Sequence, residues 1–356
     1  MSSLFAVTAL LATVYAHGVH KPEELVKRDL MWNNHQRSLA VCGSSVNGHT
    51  RAQRAVERRS RWAEKIREER GVVAKPWIRR RDLDDLYKWG NLTHLVNMTD
   101  VSSNNYTALF GNNISCVLTP ETTQGPYYIA GEYLRTNVTE NQVGVPLYLD
   151  VQIIDVNTCE PLPDLFVDIW SANATGVYSG IHEPGNGNYA DVANLNTTFL
   201  RGIWQADDDG VVQFTTIFPG HYVTRATHIH IIVHHGGYIT PNYTFCGGNN
   251  THIGQLFFEE SLRSIIETTA PYTYNTQPVT TNHDDKHAPM QATGDYDPYL
   301  QYIYIDPEDI SKGVIAWISM GVDPILSYDV PIYHETESQF GPPPEQVNFE
   351  YHQWNQ

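Results

Sequence analysis

The chain is expected to be all-β, an antiparallel β-sandwich core preceded by a helical N-terminal segment. Three observations carry this expectation. Short runs rich in Val, Ile, Leu and Tyr recur at residues 146–156, 165–172, 211–217, 228–234 and 313–318. Gly, Pro, Asn and Asp separate them, as in Asp207-Asp208-Asp209-Gly210 just before Val211. Residues 51–70, by contrast, are rich in Ala, Glu and Arg and place Val56, Trp62, Ala63 and Ile66 at near-helical spacing. A sandwich of about 200 residues is ordinary for a single all-β domain.

Taken in order, residues 1–16 read as a secretory signal peptide. An apolar stretch at 4–14 leads to Val14-Tyr15-Ala16, which suits cleavage before His17. Residues 17–90 form a basic segment, with 17 Lys/Arg against 10 Asp/Glu between Lys21 and Gly90. The helix in it reads as a surface helix with a solvated charged face. Lys27-Arg28 and Arg79-Arg80-Arg81 each precede Asp, and cleavage there would make this segment a pro-region. Residues 91–115 are polar and expected to be a glycosylated loop. Sequons occur at Asn91, Asn97, Asn105, Asn113, Asn137, Asn173, Asn196, Asn242 and Asn249. The sandwich is expected over 116–334, and 335–356, with Pro342-Pro343-Pro344, as an extended polar tail. Cys42, Cys116, Cys159 and Cys246 allow two disulfides in three pairings, and no CxxC spacing points to zinc. A secreted, extracellular protein without a membrane span accounts for these features together.

The net charge is −17. From Asn91 onward only Arg135, Arg201, Arg225, Arg263, Lys286 and Lys312 are basic, against 30 acidic residues. Such a body excludes nucleic-acid binding by counterion release. It also makes each remaining arginine, above all Arg225, a residue to account for.

The chemistry concentrates in Pro219-Gly220-His221-Tyr222-Val223-Thr224-Arg225-Ala226-Thr227-His228-Ile229-His230. His228 and His230 lie in an apolar run, Ile229-His230-Ile231-Ile232-Val233, that reads as a strand. Both imidazoles therefore point to one face, with Ile229 on the other. Two such histidines are half of a metal site. Upstream, a strand ends in a turn that presents Tyr178: Asp168-Ile169-Trp170-Ser171-Ala172-Asn173-Ala174-Thr175-Gly176-Val177-Tyr178-Ser179.

This constellation resembles the intradiol ring-cleavage dioxygenases, the family of catechol 1,2- and protocatechuate 3,4-dioxygenases. The resemblance rests on Trp170-x-Ala172-Asn173-x-x-Gly176-x-Tyr178-Ser179, Asp209-Gly210, Pro219-Gly220-x-Tyr222 and Arg225-x-x-His228-x-His230. Glu121-Thr122-Thr123-Gln124-Gly125-Pro126-Tyr127-Tyr128 resembles the segment before the family's sandwich. The signal peptide, sequons and cysteines look like those of the extracellular fungal branch.

The resemblance implies a mononuclear non-haem Fe(III) site held by Tyr178, Tyr222, His228 and His230, with a solvent hydroxide. Tyrosinate is a hard anionic donor that suits a hard trivalent ion. It implies that Tyr222 leaves the metal and helps take a proton from a catechol-type substrate. Arg225 would face developing negative charge, and Gln255 would lie near the ring. The product would be a muconate-type diacid formed with O2. Tyr127 or Tyr128 is expected to line the pocket. His221, His234, His235 and His287 match no place in the motif and are expected to be structural or exposed. Two other readings stand beside this one. One is a catalytically inactive β-sandwich that binds phenols or glycans. The other makes His17, exposed after signal cleavage, half of a copper-binding brace.

Overall fold

A computed structural model describes residues 46–72, 93–96, 121–188, 190–292, 297–330 and 334–335. The expected signal peptide, His17, both dibasic sites and the tail beyond residue 335 lie outside this set, as do the sequons at Asn91, Asn97, Asn105 and Asn113.

Two four-stranded sheets face each other. The first has the order β10-β11-β2-β5, built from β2 (Pro146–Asp155), β5 (Val211–Ile217), β10 (Gln301–Tyr304) and β11 (Val314–Val322). The second has the order β4-β3-β6-β9, from β3 (Phe166–Trp170), β4 (Arg201–Gln205), β6 (His228–His235) and β9 (Asn249–Phe257). The second sheet is antiparallel throughout. The first is mixed, because β2 and β11 run parallel from Leu147 opposite Val314 to Asp155 opposite Val322. A parallel pair needs a crossover connection, and the long excursion between β5 and β10 supplies it. Short pairs complete the set: β1 (Ile129–Ala130) with β12 (His334–Glu335), and β7 (Tyr238–Ile239) with β8 (Phe245–Cys246).

Alternation explains the packing. Leu147, Leu149, Val151 and Ile153 of β2 meet Ile229, Ile231 and Val233 of β6 in the core between the sheets. The outer face of the first sheet is not left to solvent. Helix α1 (Val46–Glu69) covers it, packing Val56, Ala63 and Ile66 on Ile303, Ile305, Ile315 and Trp317. This helix departs from the expected solvated charged face, since Arg51, Arg59 and Arg67 are buried. Asp150 of β2, fully buried, receives Arg59 Nε at 2.9 Å, Arg58 Nε at 3.1 Å and Gln213 Nε2 at 2.9 Å. Burial alone would raise its carboxyl, but the two arginines hold it well below the usual carboxylate range. The arginines were read as surface charge because their acidic partner lies about 90 positions away.

Residues 93–96, inside the segment expected to be a polar loop, run beside β10, with Val96 N donating to Tyr302 O at 2.9 Å. His94 is buried there between Glu259 and Asp297, at 3.3 and 2.8 Å. Cys159 is disulfide-bonded, while Cys246 is an exposed free thiol, so the two disulfides that four cysteines allow are not both formed. Among the described residues no helix is long and apolar enough to cross a membrane.

Candidate metal and catalytic site

The site lies on the face of the second sheet turned away from the core. β6 runs Ile229, Ile231 and Val233 inward, which turns His228 and His230 outward, as the alternation predicts. Their Nε2 atoms face each other at 3.0 Å. His228 Nδ1 lies 2.6 Å from Ala226 O, so it carries the proton and leaves the Nε2 lone pair for a ligand. His230 is held flat against Trp170, its cross-strand partner, with ring centroids 4.7 Å apart and planes 5° apart.

Tyr222 and Tyr178 close the ring of donors. Tyr222 opens a tight turn in which Arg225 N donates to Tyr222 O at 3.1 Å, with Thr224 at a left-handed φ of 65°. Tyr178 follows a turn built on Asn173, whose Oδ1 accepts from Thr175 N and Val177 N, both at 3.1 Å. Asn173 Nδ2 also donates to Gln142, so the amide that a sequon would glycosylate is engaged within the fold. Gly176 in this turn has φ 82°, and a Cβ there would sit 2.2 Å from His221 O, so no other residue fits. The Tyr178 and Tyr222 rings meet at 5.3 Å, Tyr222 and His228 at 5.6 Å, and Tyr178 and His230 at 5.9 Å.

These four side chains fit a metal ion. Two nitrogens each about 2.1 Å from one ion and at right angles to each other stand ~3.0 Å apart, as the two Nε2 atoms do. The buried Tyr178 hydroxyl lies against that of Tyr222 and makes no hydrogen bond of ordinary geometry. Such an orphaned group calls for a ligand. Burial pushes both phenols above their ordinary range, Tyr178 most, and Arg225 offsets only part of the rise. A cation among them would reverse that cost and stabilise phenolate. Among the described residues no group of three or more His, Cys, Asp and Glu could hold a metal, so a metal site here would need the tyrosines as donors.

Arg225 is the cation of the site. Its Nη1 donates to Tyr222 Oη at 3.2 Å, its Nη2 to Gln255 Oε1, and its Nε to Asp285 Oδ2 at 2.9 Å. Gln255 sits on β9 directly opposite His230 and anchors its own Nε2 on Thr123 O at 3.1 Å. The structure thus brings Tyr178, Tyr222, Arg225, His228, His230 and Gln255 together. Tyr127 joins them, its ring 5.0 Å from Tyr178 and 6.0 Å from Tyr222. Tyr128 instead packs on Trp170. The unassigned histidines have other surroundings: His221 between Glu267 and Gln277 O, His234 against Phe245, His235 exposed, and His287 buried outside the donor set.

Comparison with known proteins finds dioxygenases. Residues 123–260 match the family model described as Dioxygenase. A 109-residue stretch is 31% identical to catechol 1,2-dioxygenase of Acinetobacter baylyi, covering 29% of this chain and 32% of that protein. A 150-residue stretch is 26% identical to chlorocatechol 1,2-dioxygenase of Pseudomonas putida, covering 35% and 53%. An intradiol ring-cleavage dioxygenase from Tetranychus urticae superposes with a TM-score of 0.50 at 28% identity, over 60% of this chain and 98% of that one. Over residues 123–260 the chain is similar to the intradiol ring-cleavage dioxygenases. The matched stretches span about a third and about half the length of the two curated relatives.

Several residues around this candidate site carry no local motif in the sequence. Asp285 is buried and accepts from Arg225, Ala226 N at 2.6 Å, His287 N at 2.7 Å and Ala288 N at 2.9 Å. Burial raises its carboxyl, but Arg225 and these donors outweigh it and hold the carboxyl below the usual range. It lies 60 residues after Arg225, with no motif around it. Arg201 is buried and donates to Ser179 O through Nε and Nη2, at 3.1 and 2.9 Å, with Glu132 3.4 Å from its Nη1. Burial lifts the Glu132 carboxyl to about 8 despite Arg201. The one available hint was composition: a basic residue in so acidic a body is a residue with a specific partner.

Proposed function

We propose that this protein is an extracellular Fe(III)-dependent intradiol dioxygenase that opens catechol-type rings with O2 to muconate-type diacids. The observation that carries the reading is the convergence of Tyr178, Tyr222, His228 and His230 on one buried point beside Arg225. These four would hold the ion. Ferric iron, when bound, acts as a Lewis acid that makes a coordinated catechol reactive toward O2 without an external reductant.

The chain's own groups supply the rest. Tyr222 Oη, next to Arg225 Nη1, accepts a proton from a catechol hydroxyl. The Arg225 guanidinium stabilises the phenolate before that transfer and the negative charge that develops on the substrate afterwards. Gln255 and Asp285 grip the guanidinium from two sides, so its orientation is fixed before substrate arrives. His228, with its proton committed to Ala226 O, stays a neutral donor. Tyr127 walls the site and limits water. The extracellular part of the reading is supported by the signal-type residues 1–16, the sequons and the bridged Cys159.

The test is the visible spectrum of the purified protein, followed by oxygen uptake with catechol, hydroxyquinol, protocatechuate and caffeate-like phenols. A wine-red protein with a broad tyrosinate-to-iron charge-transfer band, one iron per chain and catechol-dependent oxygen consumption is expected. A colourless protein that binds copper or no metal and consumes no oxygen would overturn the reading. Phenol binding without turnover would point to a binding module instead.

A further inference from the structure

The four donors are not held in the same way. His228 and His230 belong to β6 and are fixed by its ladders to β3 and β9. Tyr222 is fixed by its turn to Arg225. Tyr178 belongs to no strand: β3 ends at Trp170 and β4 begins at Arg201. Its backbone groups are instead satisfied by side chains. Asn186 Oδ1 accepts from Tyr178 N at 2.7 Å, and Asn186 Nδ2 donates to Tyr178 O at 2.9 Å and Ile181 O at 3.2 Å. Asn194 Nδ2 donates to the same two carbonyls, both at 2.8 Å.

We propose that Asn186 and Asn194 are positioning residues for the metal ligand Tyr178, a paired amide clamp that sets where its phenol oxygen points. The inference rests on the reading of Tyr178 as an iron ligand. A primary amide carries an acceptor and a donor side by side in one plane, so Asn186 satisfies the N–H and the C=O of one residue at once. The two asparagines come from separate single-turn 3-10 helices, Pro184–Asn186 and Val192–Asn196, and both side chains are buried inside an otherwise polar excursion. Each amide is itself oriented. Asn186 Nδ2 also donates to Asn188 Oδ1 at 3.0 Å, and Thr197 Oγ1 lies 2.9 Å from Asn194 Oδ1. Arg201 fastens the next carbonyl, Ser179 O. The excursion from Ile181 to Phe199 thus does for Tyr178 what the sheet does for the histidines.

The experiment uses the full-length, iron-loaded protein and the variants Asn186→Asp, Asn194→Asp and Thr197→Val. Each Asp keeps size and one acceptor but turns the donor toward the carbonyls into a second acceptor. Thr197→Val, at a half-buried position, removes the brace on Asn194 and a 3.3 Å acceptor for Gly180 N, which keeps its 3.0 Å bond to Asn194 O. Readouts are Fe(III) affinity, the charge-transfer band, the tyrosinate resonance Raman spectrum and the melting temperature. The Asp variants are expected to lose 10–100-fold in iron affinity or kcat/KM, the usual effect of disturbing the partners of a metal ligand, with a shifted band. Thr197→Val should move the same readouts in the same direction by less. Wild-type iron affinity and an unmoved band in a variant that melts lower would overturn the proposal, since a merely structural residue behaves that way. Should the Asp variants not fold, Thr197→Val decides alone, and an unshifted band sinks the clamp. A wild-type protein with no ferric band would instead fault the parent reading of Tyr178.

Discussion

Asp285→Asn separates the positioning of Arg225 from its presence. The substitution keeps the shape of the side chain but removes its charge and turns one acceptor into a donor. In the native site Asp285 serves five donors: Arg225 Nε at 2.9 Å and Nη2 at 3.4 Å, and the N–H groups of Ala226, His287 and Ala288 at 2.6, 2.7 and 2.9 Å. An Asn oxygen can serve one side of this set, so the Arg225 bond or the bonds from His287 and Ala288 must go. A hydrogen bond to a charged group contributes about 1.5–3 kcal/mol. At 1.36 kcal/mol per decade this corresponds to a fall in kcat/KM of roughly 10–150-fold. Leaving Arg225 buried without its carboxylate should also cost about 3–5 kcal/mol of stability. Iron content should not change, because Asp285 touches none of the four proposed donors. Oxygen uptake, iron analysis and denaturant unfolding on the same preparation measure all three. Full kcat/KM in Asp285→Asn, alongside a large loss in Arg225→Ala, would refute the argument that the carboxylate orients the guanidinium.

Other outcomes follow from the same geometry. Tyr222→Phe should retain iron, shift the visible band and slow turnover, read by spectra and oxygen uptake. Asp150→Ala leaves Arg59 buried without its partner and should lower stability by about 3–5 kcal/mol, measured by urea unfolding, with α1 the first element to lose amide protection. Burial lowers the His94 pKa, but hydrogen bonds to Asp297 and Glu259 outweigh it and raise the ring to about 9. A raised histidine stabilises fully below its unfolded value near 6.5, and the contribution disappears as pH rises through 9. Burial raises Glu259, but His94, Ser261 and Tyr302 bring it down to about 2, so its contribution is present above the unfolded value near 4.5 and lost as pH falls through 2. His94→Gln should flatten the alkaline limb of the stability profile, and an unchanged limb would count against this pairing.

Much of the candidate donor set was legible because local rules place it. Period-two alternation puts His228 and His230 on one face, and the Tyr222–Arg225 turn lies within the same dodecapeptide. β2, β5 and β6 likewise announce themselves through apolar runs. β9 does not, because Asn249, Asn250 and Thr251 open it and glycine and glutamine interrupt it, so no apolar run marks it. Its identity is set by pairing with β6, a tertiary fact. The same holds for α1, whose arginines look solvated until Asp150 is found beneath them. Asp285, Asn186 and Asn194 stayed hidden for a related reason. Each acts through one or two atoms on a backbone group or guanidinium that no local pattern connects to it.

The parallel pairing of β2 with β11 bears on how the chain reaches this state during synthesis. The sheet that carries the histidines is assembled from one stretch, Phe166 to Phe257, and has all four of its strands once that stretch has emerged. The other sheet keeps an open edge on β2 until Val322 arrives. An open edge offers unpaired backbone groups to any neighbouring strand, and distant pairings form late. Nascent chains halted between these two points would carry a finished histidine-bearing sheet on an unfinished support, the species most exposed to misassembly before release.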